Sequence, residues 1–245
     1  MWMRRIALIA CFLGFIAALG RFVGRAREGA RWSQCYGDFK GIALALHNYE
    51  SAYGTLPPAY LTDTRGRPTL SWRVLILPFL ENQALYDAFN LSEPWDGSAN
   101  SKLLARMPSI LACPTLHQET EAGRTKCVAI IGPGTMFPRA NPARFSDIRD
   151  GLGGTIMLAE VANLGIPWTA PVDLDIRTMS LRVNDPRKPS ISSPHAGGPV
   201  VSMGDGTLLF VPRSLAPESL SALTTVAGAE PLDAKSTLRR TSQLK

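Results

Sequence analysis

The stretch WSQCYGDFKGIALALHNYESAYGTLPP, residues 32–58, decides how this chain folds. Its apolar residues Trp32, Cys35, Phe39, Ile42, Leu46, Tyr49 and Tyr53 recur at alternating spacings of three and four, the signature of one stripe along one helical face. Gly54 supplies a stop, and Pro57-Pro58 prevent continuation. Gly24, Gly29, Gly37 and Gly41 fall in or just before this pattern. Each weakens a helix by up to about 1 kcal/mol, so packing of the stripe must hold it.

Upstream, Arg4-Arg5 precede IALIACFLGFIAALG, residues 6–20, and Phe22-Val23 prolong the apolar run beyond Arg21. A membrane-spanning helix needs roughly 17 to 25 apolar residues, which Ile6 to Val23 reaches only if Arg21 snorkels to the interface. A cleaved signal peptide is the competing reading, with Ala18-Leu19-Gly20 as a small-residue cleavage site. The helical pattern that continues into the stripe favours a retained single-pass transmembrane anchor over residues 1–24. An unbroken helix from Ile6 to Tyr53 would be roughly 70 Å long. By charge counting alone, Arg21, Arg25, Arg27 and Arg31, offset only by Glu28, would put the N-terminus outside.

The chain has 245 residues, 45% hydrophobic and 19% charged, too apolar for disorder and too evenly interrupted after the N-terminus for further spans. Residues 25–232 are therefore expected to form one domain, with 233–245 (DAKSTLRRTSQLK) a flexible tail. The net charge of +6 is scattered, whereas a nucleic-acid footprint needs clustering, so no nucleic-acid partner is expected. The arginine run that follows the apolar segment suits anionic lipid headgroups, making the bilayer the expected partner.

Within the domain, LSWRVLILPFLENQALYDAFN (70–90) reads as helical, capped by Ser71 and kinked or divided at Pro78. A short helix is predicted over 100–107, and short strands over Ile110–Cys113 and Val128–Ile131. Glycine- and proline-punctuated apolar runs follow, and VVSMGDGTLLFV (200–211) is a hairpin turning at Gly204-Asp205-Gly206. Helices followed by a β-rich half make the fold class α+β, a long N-terminal helix packed on antiparallel strands.

Candidate chemistry is sparse. The histidines are His47, His117 and His195. Cys35, Cys113 and Cys127 lie in the domain, an odd number that cannot all pair. One disulfide is expected, Cys35 with Cys113, leaving Cys127 a buried thiol, although sequence alone does not fix the connectivity. Zinc held by Cys113, His117, Cys127 and Cys35 matches no compact ligand spacing, and no metal or cofactor is expected. Most aspartates, among them Asp63, Asp96, Asp147, Asp150 and Asp205, sit beside turn residues, where aspartate bonds to its own backbone. Asp173 and Asp175 with Trp168 are the residues for an alternative carbohydrate-binding, calcium-binding or hydrolytic ectodomain. No P-loop, dinucleotide-binding glycine pattern, nucleophile elbow or His-Glu-x-x-His motif is present, and no enzymatic activity is expected.

HAGGPVVSMGDG, from His195 to Gly206, has the form His, nine residues, Asp-Gly. With IALALHNYESAYGTLPPA, SWRVLILPFLENQALYDAF, PWDGSANSKLL, ACP, GPGTMF, DGLGGT and IPWTAP in the same order, the chain resembles the pseudopilin-like domain of unknown function 1559, abundant in planctomycete-type bacteria. The resemblance implies a pilin-like N-terminal helix, an inside N-terminus in the cell membrane, and an extracytoplasmic α+β domain built on the helix. It also implies a structural or assembly role like that of a type II secretion pseudopilin, with other pseudopilin-like or envelope proteins as partners. It assigns no catalysis. Gly14-Phe15 stands where a prepilin motif would, but the fifth position of the mature helix is Leu19 and carries no carboxylate. His195, Gly197, Gly198, Asp205 and Gly206 are read as a structural signature. Ten residues separate His195 from Asp205, up to about 33 Å when extended, so the two are expected to act independently.

Overall fold

The computed structural model describes residues 2–112, 123–162, 164–195, 197–228 and 237–238, with side chains of the first helix described from Leu19 onward except at 21, 25, 26 and 28. That helix, α1 (Trp2–Tyr53), is unbroken over 52 residues, about 78 Å at 1.5 Å per residue. Its stripe is buried at Cys35, Phe39, Ile42 and Leu46, joined by Ala43 and Ala45. The stripe ends sooner than its spacing predicts, because Tyr53 is 64% exposed, its ring meeting those of Tyr49 and Phe79. Gly54 then closes the helix at φ +73°, its N–H donating to the Glu50 carbonyl at 2.7 Å. Every described residue from 19 to 31 is exposed. Among the described residues no helix is long and apolar enough to cross a membrane, and most side chains of the expected anchor lie outside them.

After α1 the chain forms an antiparallel pair, β1 (Tyr60–Thr62) and β2 (Pro68–Ser71). The turn between them is set by Asp63, whose Oδ1 accepts from the amides of Arg65 and Arg67 at 2.8 and 2.9 Å. Ser71 ends β2 and caps α2 (Trp72–Leu75), accepting from the Arg73 amide. The single divided helix expected over 70–90 is three separate turns: α2, a 3₁₀ turn at Leu77–Leu80 and α3 (Gln83–Tyr86). Pro78 offers no N–H, and left-handed Glu81 (φ +58°) reverses the chain before α3. The predicted helix over 100–107 is 3₁₀, Asn100–Arg106. Ile110–Cys113 is not a strand: Ser109–Leu111 form another 3₁₀ turn, and Cys113 lies outside the described residues. Ile110 of that turn packs onto α1 at Gly41, where an added Cβ would come within 2.7 Å of Ile110 Cδ1.

The remaining strands are β3 (Arg124–Thr125), β4 (Cys127–Ile131), β5 (Ile156–Glu160), β6 (Ile166–Pro167), β7 (Leu174–Asp175), β8 (Val200–Met203) and β9 (Leu208–Phe210). β3 pairs with β6, and the others form one five-stranded sheet in the order β7-β4-β5-β8-β9. The sheet is mixed, not purely antiparallel: β7 runs parallel to β4, Ile130 facing Leu174. Its chain returns to the sheet edge through a crossover instead of a hairpin. The class is α+β.

Both faces of this sheet are covered, which explains its near-continuous apolar strands. Along β4 the side chains alternate, Ala129 and Ile131 joining the α1 core while Val128 and Ile130 join the opposite one. The first core gathers Phe39, Ile42, Leu46, Trp72, Trp168 and Phe210. The second lies against α4 (Pro217–Ala222), with Leu220, Leu223, Val201 and Leu209. In β5, Met157 and Leu158 both join the first core, where the register with β8 is irregular between Ile156 and Leu158.

Candidate functional site

β8 carries the signature, with His195 before it and Asp205 after it. β5 runs antiparallel beside β8 and fixes which end is which. At the His195 end, the buried Glu160 carboxylate accepts from Ser193 Oγ at 2.8 Å and from the Val200 amide at 3.1 Å. The His195 amide donates to Ser193 Oγ, and the His195 carbonyl accepts from Gly198 N–H. Gly198 has φ +91° and passes so close to the Val211 carbonyl that a Cβ would collide with it. Gly197 adjoins it in this turn. At the Asp205 end, the Gly204 amide donates to Thr155 carbonyl at 2.8 Å and the Gly206 amide to Met203 carbonyl at 2.9 Å. Asp205 Oδ1 accepts from the Thr207 amide at 2.8 Å, and Gly206 takes φ +76°. His195 and Asp205 therefore stand at opposite ends of β5 and β8, and the reversal at Gly197-Gly198 does not bring them together.

The hairpin tip rests on α1 beside His47, whose Nε2 would lie 3.7 Å from a Cβ at Gly206. The His47 ring packs on Phe145 with centroids 4.7 Å apart, and its Nε2 is buried with no hydrogen-bond partner.

Two buried polar pairings escape the sequence reading, which names Asp173 only for a ligand site. Arg73 is fully buried and its guanidinium meets Asp173 Oδ1 at 2.5 Å. It also donates to Ser71 Oγ and to the Cys127 carbonyl, with the guanidinium 4.8 Å from the Trp72 ring centroid. Asp173 Oδ1 accepts further from Trp72 Nε1 and the Ala129 amide, while Oδ2 has no partner. Burial pushes the Asp173 carboxyl above the usual range, opposed by Arg73 and these donors. The second group is Lys126 and Glu160, buried at adjoining ends of β4 and β5, with Lys126 Nζ donating to the Ala162 carbonyl. In both cases the signal was a charge inside an apolar run, SWRVLIL or IMLAEVA.

Lys126 and Glu160 line a cavity of about 10 Å³ together with Cys35, Asp38, Ala112 and Cys127, about the size of one water molecule. Cys127 is a buried free thiol, its pKa raised by burial. The expected Cys35–Cys113 bridge and the zinc alternative both involve residues outside those described. Among the described residues no group of three or more His, Cys, Asp or Glu could hold a metal.

The alternative carbohydrate reading loses its platform. Trp168 is 0% exposed, and its Nε1 donates to the Leu104 carbonyl at 3.0 Å. Asp173 is spent on Arg73, and Asp175 on Arg139 and Arg177. Asp63, Asp147, Asp150 and Asp205 all accept from backbone amides.

Residues 24–129 match the family model described as "Protein of unknown function (DUF1559)". Over that stretch the chain resembles DUF1559 proteins. The DUF1559 match spans the buried half of α1 through the start of β4, and so includes Arg73 and the small cavity's α1 wall. The signature from His195 to Gly206 lies beyond it. No curated protein and no solved structure matches the chain.

Proposed function

We propose that this protein is a membrane-anchored, extracytoplasmic structural or assembly subunit in the manner of a pseudopilin, without catalysis. Its N-terminus lies inside, and envelope proteins of similar build are its partners. The observation that carries the reading is the division of labour along α1. From Cys35 to Leu46 the helix is part of the core, whereas its described residues from 19 to 31 are all exposed, Phe22 at 71%. Such a helix couples whatever holds its first half to the domain around its second half. Isolated helix of this kind is costly to expose in water, and the arginines after the apolar segment suit an anionic membrane surface.

Fractionation of the full chain with a photo-crosslinking residue at Phe22 tests this. The expected result is a carbonate-resistant membrane protein that retains residues 1–20 by mass spectrometry and cross-links at Phe22 to envelope protein. A soluble product beginning near Arg21, with no adduct at Phe22, overturns it.

A further inference from the structure

The segment 179–188 builds an open cleft of about 800 Å³ with Pro217, within the size range of small-molecule sites. Its walls mix Met179, Leu181 and Pro217 with Arg182, Arg187 and Lys188 and one acid, Asp185. All three cations are exposed, and the ion pairs found elsewhere, on Asp63, Asp173 and Asp175, include none of them. The acid nearest in sequence, Asp185, is already committed. Its carboxylate accepts from Ser180 Oγ at 2.6 Å and from the Arg187 amide at 2.8 Å. The Ser180 bond, first among several, holds its pKa below the usual range. Asp185 lines the same cleft and interacts with Arg182, so three cations face one carboxylate and the cleft keeps an excess of positive charge.

The cleft is also preformed. Ser180 N–H donates to the Pro189 carbonyl at 2.7 Å, and Asn184 N–H to the Ile191 carbonyl at 3.0 Å. The Asp185 amide donates to Ser190 Oγ at 3.0 Å, and the Ser193 amide to Asn184 Oδ1 at 2.8 Å. Val183 and Ile191 anchor the loop in the second core. Asn184, which lines the cleft, keeps a buried side-chain amide nitrogen without a partner. Cations carried on an ordered loop bind anions without first having to order the loop.

We infer that this cleft binds a small ligand carrying at least two anionic groups, held by Arg182, Arg187 and Lys188. Carboxylated sugars and phosphorylated compounds share that chemistry. The inference is independent of what α1 does.

Calorimetric titration of the detergent-solubilised full chain uses trigalacturonate, tripolyphosphate and, as neutral control, maltotriose. At least one anion binds at a single site, weakening about tenfold between about 50 and about 200 mM salt. Binding by trigalacturonate alone assigns a carboxylated glycan, and by tripolyphosphate alone a phosphorylated ligand. R187E/K188E weakens binding at least about tenfold, and R182Q, a milder change that guards against misfolding, weakens it several-fold. R25A/R27A on α1 leaves it unchanged. The proposal is overturned if neither anion binds, if maltotriose binds equally, or if binding survives R187E/K188E undiminished.

Discussion

Arg73 and Asp173 illustrate what one buried charge demands of its neighbours. The pair is satisfied on the guanidinium side but leaves Asp173 Oδ2 bare, so removing Arg73 strands a carboxylate in the core. Arg73→Met is expected to cost about 3 to 5 kcal/mol at neutral pH, measured by urea unfolding. The loss should depend on pH. A carboxyl whose folded pKa is raised holds its proton where the unfolded chain has released it, so stability falls as pH rises from the ordinary aspartate range through the folded value. Without Arg73 that value rises further, and Arg73→Met should lose stability more steeply between about pH 4 and pH 7 than the parent. A flat profile in both proteins would refute this. Cys127 offers a second test: its buried, protonated thiol should resist alkylation in the folded protein and react fully in denaturant, read by peptide mapping. The sequence signals that Arg73 must be buried, because it interrupts an apolar run. It does not reveal Asp173, a hundred positions away.

The β8–β9 hairpin and α1 were legible as elements because their signals are local: a turn dipeptide between apolar runs, and a helical period closed by Gly54. Residues 71–89 were less so, since Pro78 and left-handed Glu81 divide a pattern whose apolar spacing still suits one helix. The polar surroundings of Glu160 were not legible at all, because Ser193 and Val200 reach it from more than thirty positions away. Gly206→Val is expected to cost about 1 to 3 kcal/mol. The cause would be backbone strain at φ +76°, as the new Cβ meets His47 only at an ordinary 3.7 Å. Asp205→Asn keeps an acceptor for the Thr207 amide and should stay within about 0.5 kcal/mol of the parent. Thermal melts that reversed this order would show that Asp205 does more than shape the turn.

At the level of the whole molecule, the core begins near Trp32, whose ring stacks on Phe210 at 4.9 Å. A chain starting at residue 32 should therefore fold cooperatively, with a melting temperature within a few degrees of the parent. Starting at residue 40 also removes Cys35 and Phe39 and should cost at least about 3 kcal/mol. Unfolding of the longer version would mean that residues 19–31, exposed as they are, support the domain. The same packing has a consequence in time. The surfaces that cover the α1 stripe include β8 and β9, so residues near 40 wait for residues near 210. At about 5 to 20 residues per second, Phe39, Ile42 and Leu46 spend on the order of 10 to 30 seconds of every round of translation with part of their final shelter still unmade. The nascent chain is then at its most adhesive, and a chaperone or the membrane surface has its longest opportunity to hold it.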